Sequence, residues 1–101
     1  MKAEVVFGAL SDESRLKMVK MLGMKDCTVE ELMTGSRKSQ SSTSQHLKVL
    51  LEAGLVSYSK FGNFRIYTLR RNELNRAMRF FDNLWEEDLN KLKAHHEKKN
   101  K

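Results

Sequence analysis

Ser39-Gln40-Ser41-Ser42-Thr43-Ser44-Gln45-His46-Leu47-Lys48-Val49-Leu50-Leu51-Glu52-Ala53-Gly54-Leu55-Val56 is the stretch on which the reading of this chain turns. At the helical step of about 100° per residue, Thr43, Leu47, Leu50, Leu51 and Gly54 fall on one side, and Ser41, Ser44, Gln45, Lys48 and Glu52 on another. The first side can dock on a core. The hydroxyl of Ser39 suits an N-cap, because it can accept from a backbone N–H that a helix start leaves unpaired. Gly54 can take the left-handed conformation that closes a helix. The polar side carries small hydroxyls and amides instead of the Lys/Glu mixture of an ordinary solvated helix, and such groups suit base edges and phosphates. The segment predicts a short helix with a buried back and a front fit to read nucleic acid.

Immediately upstream, Thr28-Val29-Glu30-Glu31 reads as a capping box that starts a short helix running to Gly35, with Val29 and Leu32 beginning its apolar face. Ser36-Arg37-Lys38 then forms a connection of the length a helix-turn-helix allows. Arg37 and Lys38 stand just ahead of the reader helix, where they are candidates for phosphate contact; the plain alternative is a solvated pair of loop charges. Before them, Ser11 is an N-cap followed by the acids Asp12 and Glu13, which complement the helix dipole. Leu16, Val19 and Leu22, flanked by Met18 and Met21, form a stripe at helical spacing, with Arg15, Lys17 and Lys20 outward and Gly23 as the stop. These methionines read as core filler, since no cysteine or histidine cluster stands near them. Residues 3 to 10, with Val5, Val6 and Leu10, make a short first helix whose apolar side needs a partner.

Downstream of Gly54 the period changes from 3.6 to 2. Leu55, Ser57 and Ser59 alternate with Val56, Tyr58 and Lys60, then Phe64, Ile66 and Thr68 with Arg65, Tyr67 and Leu69, and the Gly62-Asn63 pair between them suits a tight antiparallel hairpin. Such a ribbon is marginal alone and must lie against the helices. Lys60, Asn63 and Arg65 gather near its tip, placed to touch a phosphate backbone or a minor groove, or else to blunt exposed strand edges. From Asn72 onward Leu74, Met78, Phe81, Trp85, Leu89 and Leu92 recur at steps of three and four, widened by Ala77, Phe80 and Leu84. A helix of roughly 25 residues, nearly 40 Å at about 1.5 Å per residue, is more than a small domain can cover, so it predicts self-association with the first helix as second contributor. The basic tail from 93 to 101 is expected to fray.

At 101 residues the chain is expected to be one domain, and its formal charge of +6 favours an anionic partner. The lone cysteine, Cys27, cannot form an intrachain disulfide, and the apolar run from Val5 to Leu10 is too short for a signal or membrane segment, so the expected location is cytoplasmic. Cys27, the three histidines and the serines show no nucleophile-base-orienter pattern, phosphate-cradling glycine loop or metal cluster, which argues against an enzyme and against a bound cofactor. The fold class predicted is mainly α with a small β-hairpin. Residues 3–10 and 72–92 are the dimerisation helices, 28–54 the helix-turn-helix, 55–69 the wing and 93–101 the tail.

That order of elements is a winged helix-turn-helix, and particular residues carry a family likeness. Phe7-Gly8-Ala9-Leu10-Ser11-Asp12-Glu13-Ser14-Arg15-Leu16 resembles the opening of the arsenic- and metal-responsive repressors (ArsR/SmtB-like). Ser39 to Leu47 resembles their recognition-helix motif, and Ala53-Gly54-Leu55-Val56, Lys60-Phe61-Gly62 and Tyr67-Thr68-Leu69 their wing. The resemblance implies a homodimeric repressor, joined through Val5, Val6, Leu10, Leu74, Met78, Phe81, Trp85 and Leu89, on a two-fold symmetric operator in double-stranded DNA. It implies that Gln40, Ser41, Ser44 and Gln45 read or approach bases and that the wing touches the flanking backbone; Ser39 and Lys48 on the same helix are further candidates for DNA contact. His46 matches a His-Leu pair of the family, and a structural or phosphate-contact role is expected for it, not metal binding. Where the family keeps third-helix cysteines this chain has Thr28-Val29-Glu30-Glu31, and where it keeps last-helix ligands this chain has Arg71, Asn72, Glu73 and Asn83. No metal is expected at either place, and the effector is left unknown. Cys27, just before the capping box, is a redox candidate or a buried small hydrophobe. Two other readings stay open: a non-specific architectural nucleic-acid binder, and an interaction module using the long last helix.

Overall fold

The computed structural model describes residues 2 to 84, so the expectations for Trp85, Leu89, Leu92 and the tail lie outside the described residues. In chain order the elements are α1 (Ala3–Leu10), α2 (Glu13–Met24), β1 (Cys27–Thr28), α3 (Val29–Ser36), α4 (Gln40–Glu52), β2 (Val56–Phe61) and β3 (Phe64–Leu69). A last helix, α5, covers residues 71 to 84.

The capping box of α3 forms as its residue types require. Thr28 Oγ1 accepts from the Glu31 N–H at 3.2 Å, and Glu31 Oε1 accepts from the Thr28 N–H at 3.0 Å. Lys25 donates to the other carboxylate oxygen, and this bond, followed by the Thr28 backbone bond, holds the Glu31 carboxyl down to about 2. α2 starts differently from expectation: Asp12, not Ser11, is its N-cap, with Asp12 Oδ1 accepting from the Arg15 N–H at 3.0 Å. Ser11 Oγ instead donates to the Gly8 carbonyl and finishes α1. Arg15 also departs from the outward position expected of it, turning inward to donate from Nε to the Ala9 carbonyl at 2.7 Å, while Leu16 takes the exposed place. A guanidinium at the carboxyl end of α1 satisfies an orphan carbonyl and complements the helix dipole.

Two glycines expected to stop helices lie inside them. α2 runs through Gly23 to Met24, and α3 runs past Gly35 to Ser36, with Arg37 taking the left-handed closing position at φ 56°. At Gly35 the end of the Met21 side chain, Sδ and Cε, occupies the place a Cβ would take, so any larger residue there would have to displace it. Gly54 does close α4, with φ 77°.

The two strands pair antiparallel as expected, with Val56 opposite Leu69 and Phe61 opposite Phe64. Gly62 alone of the two turn residues takes positive φ, the pattern of a type II′ turn that matches the twist of paired strands. The sheet has a third strand that alternation did not announce: β1 pairs antiparallel with β3, Cys27 opposite Tyr67 and Thr28 opposite Ile66, giving the order β1-β3-β2. β1 thus ties the start of the helix-turn-helix to the wing. The core collects the backs of the helices, with Met18, Leu22, Leu32, Leu47, Leu50 and Leu55 essentially without solvent contact. α1 and α5 meet through an edge-to-face pair of Phe7 and Phe81 at 5.8 Å.

Candidate nucleic-acid interface

α4 divides as its sequence pattern dictates. Thr43, Leu47 and Leu50 are buried, while Gln40, Ser41, Ser44, Gln45 and Lys48 are exposed. Ser39 Oγ accepts from the Ser42 N–H at 3.1 Å, so this hydroxyl serves the helix as its N-cap. Gln40, Ser44 and Lys48 line one wall of a groove of about 650 Å³ whose other wall is Asn63, Phe64 and Arg65 of the wing, with Glu30 of α3 adding a carboxylate. β3 is positioned for this by β1, which anchors it beside the start of α3. Ser41 and Gln45 stand exposed on the same front, outside the groove.

Arg65 is held on a platform that sequence reasoning missed. Its guanidinium carbon lies 4.5 Å from the centre of the Tyr58 ring, and Tyr58 packs in turn on Tyr67 at 5.4 Å. A cation over an aromatic face is attracted by the ring quadrupole, and here the stack also limits the side chain's freedom. A hydrogen bond with the Tyr67 hydroxyl, then the charge of the Tyr58 phenol group, raise the Arg65 guanidinium above its ordinary value. The signal was in the register: counting back from the turn places Tyr58 opposite Tyr67 on the face that carries Lys60 and Arg65. Lys60 and Asn63 line a smaller cleft with Arg65 at the tip. Arg37 and Lys38 are exposed at the turn before α4, next to this surface in sequence but not part of the groove.

His46 is placed otherwise. It is half-buried, with Nδ1 3.3 Å from Arg15 Nη1 and 3.9 Å from Asp12 Oδ1. Arginine can only donate, so His46 Nδ1 accepts in this pair and the neutral ring carries its proton on Nε2. The Asp12 carboxyl is held below its usual range, chiefly by the Arg15 backbone N–H. His46 thereby joins α4 to the start of α2 through Nδ1, the contact that a structural role for it requires. Arg15 is the partner that sequence reasoning missed.

Cys27 is enclosed, its thiol donating to the Lys25 carbonyl at 3.3 Å. Burial, reinforced by the Glu31 charge, pushes the thiol up, away from the thiolate that a redox-active cysteine needs. Cys27 is 2% exposed and packs in the core, opposite Tyr67 across the strand pair. Among the described residues no three His, Cys, Asp or Glu side chains come together as a metal site, and no described helix is long and apolar enough to cross a membrane.

The second surface is apolar. Val5, Met78 and Phe81 of the expected dimer set stand 44 to 50 % exposed on α1 and α5, joined by Phe80 and Leu84. Leu10 and Leu74 are half-buried against the core. Val6, expected in the same set, is 0 % exposed in the single chain: it belongs to the core and offers nothing for a second copy to touch.

Comparison with known proteins places this geometry among relatives. Residues 12–58 match the family described as bacterial regulatory protein, arsR family. The chain is 34% identical over 84 residues to the transcriptional activator HlyU of Vibrio cholerae, covering 83% of this chain and 78% of that protein. It is 36% identical over 75 residues to the arsenical resistance operon repressor of Bacillus subtilis, covering 73% and 71%. An ArsR-like transcriptional regulator from Rhodococcus sp. RHA1 superposes with a TM-score of 0.83 at 33% identity, covering 91% of this chain and 87% of that one.

Proposed function

The chain belongs to the arsR family of bacterial regulatory proteins and is a DNA-binding transcriptional regulator; we propose that it works as a homodimer on a two-fold symmetric operator and represses by occupying it. The observation that carries this reading is the front of α4: Gln40, Ser41, Ser44 and Gln45 are all exposed, and Gln40 and Ser44 line a groove also walled by the Asn63 and Arg65 side chains. Gln40, Ser41, Ser44 and Gln45 address base edges in the major groove, since amides can pair two-fold with adenine and hydroxyls with either type of edge. Lys48, Arg37 and Lys38 neutralise phosphates, and Lys60, Asn63 and Arg65 meet the flanking backbone.

The homodimer is supported by Val5, Met78, Phe80, Phe81 and Leu84, five large apolar side chains left open on two adjacent helices. A second copy related by a two-fold axis would cover them and set two α4 fronts about one turn of DNA apart, roughly 34 to 36 Å. One named relative is an activator and another a repressor, and the sense proposed for this chain is repression. With Cys27 enclosed and Thr28-Val29-Glu30-Glu31 at the start of the third helix, we propose that the controlling signal is not a metal at that helix.

Selection of bound sequences from a random duplex pool tests specificity and symmetry together. The expected product is a palindrome with half-sites centred about 10 base pairs apart, bound with a steep salt dependence. Equal affinity for random duplex at physiological salt would overturn the sequence-specific part and leave an architectural binder. A monomer by sedimentation would overturn the dimer.

A further inference from the structure

Phe61 and Phe64 flank the Gly62-Asn63 turn and are cross-strand partners, so both rings leave the ribbon on one face at its apex. They are 74% and 56% exposed. Neither supports the core, which begins further down the wing at Val56, Tyr67 and Leu69. Paired aromatic rings open to water at the tip of an exposed ribbon are unfavourable for solubility and invite strand association, so their presence calls for an occupant. The charge around them says which kind. Lys60 and Arg65 pair on the opposite face beside them, so the tip from Lys60 to Arg65 carries two cations and no acid. An apolar edge inside such a field fits a polyanion with an apolar interior, not an apolar protein surface.

We propose that the Phe61–Phe64 pair is an apolar wedge that seats in the minor groove of duplex DNA beside the bases addressed by α4, with Lys60 and Arg65 on the adjoining phosphates. This rests on the DNA-reading proposal above and adds a partner surface to it. A minor groove about 6 Å wide admits a ring edge-on, against deoxyribose and a base step, and apolar side chains pressed there partly unstack the step. Pyrimidine–purine steps yield most easily, so the wedge gives the protein a sequence preference at positions that α4 does not reach.

The test uses the full chain on the duplex recovered by selection, with 2-aminopurine at the flanking step, titrated from roughly 50 to 200 mM salt. The Phe61→Ser/Phe64→Ser variant is expected to lose about tenfold in affinity with the salt slope unchanged, because it removes apolar contact and no phosphate contact. Phe61→Leu/Phe64→Leu should stay within about threefold of the parent, whereas Lys60→Ala should lower the slope by about 1. Fluorescence of the probe should rise when the parent binds and stay flat with the serine variant. The wedge is overturned if the serine variant binds like the parent, if its loss comes with a reduced slope, or if it alters association of the chain and not DNA affinity. A parent chain that fails to prefer the selected duplex would instead overturn the reading on which the wedge rests.

Discussion

Gln45 and Leu47 lie two residues apart on α4, one standing in solvent and the other 1% exposed. On the buried face every residue answers to packing: Leu47 and Leu50 fill space between α2, α3 and the wing, and the only latitude is in shape and volume. On the open face nothing in the fold asks for glutamine or serine. A helix with only its own stability to serve would carry long charged side chains there, which lose little rotamer freedom in a helix and form i,i+4 pairs. The choice of short amides and hydroxyls is thus free information about function. The two faces should accordingly fail in different assays.

The largest expected effect belongs to the back. Leu50→Ala removes a side chain with no solvent contact, and such truncations cost about 2 to 5 kcal/mol through lost burial and the cavity left behind. Denaturant unfolding reads this directly, and DNA affinity should fall only in step with the unfolded fraction. If Leu50→Ala left stability intact and abolished DNA binding, the division of labour between the faces would be wrong. The front comes next. Gln45→Ala should leave stability within about 0.5 kcal/mol of the parent, as exposed substitutions do, yet reduce discrimination at one base pair of each half-site by about 1 to 3 kcal/mol. Competition binding with site variants checks it; a uniform loss on all sequences would make Gln45 a backbone contact.

How far the sequence spoke depended on how long each pattern ran. α4, with three turns and marked ends, was legible in both faces, and so were the capping box at Thr28 and the Gly62-Asn63 turn. β1 was not, because two residues cannot show alternation; it exists through pairing with β3, a contact distant in the chain. Gly23 and Gly35 read as helix stops because glycine often is one, but a glycine within a helix can instead be the place where a neighbour packs close, as Met21 does at Gly35. Arg15 and Leu16 exchanged their expected places for the carbonyl of Ala9, a tertiary bond that overrides amphipathic pattern. At the interface, residue type identified the exposed amides and cations, whereas His46 needed the fold: only the approach of α2 shows that its ring is occupied by Arg15. Val6 likewise looked like surface until the other helices were set around it.

The smallest expected effect sharpens the contrast most, because it concerns the one polar group on the wrong side. Thr43 is 0% exposed and its hydroxyl has no hydrogen-bond partner among the described residues. A buried hydroxyl without a partner forfeits its hydration for nothing, a penalty of about 1 to 3 kcal/mol. Thr43→Val keeps the branched shape and deletes that group, at nearly equal helix propensity. The expected outcome is a gain of about 1 kcal/mol in thermal or denaturant unfolding, with the sequence preference of the selected DNA unchanged. Removing a polar atom from the back of the helix would then improve the scaffold without touching what the front reads. A loss of stability would mean that the hydroxyl is satisfied after all. A changed base preference with stability intact would mean that packing behind α4 sets how its front meets the groove, so that the two faces are coupled through the position of the helix.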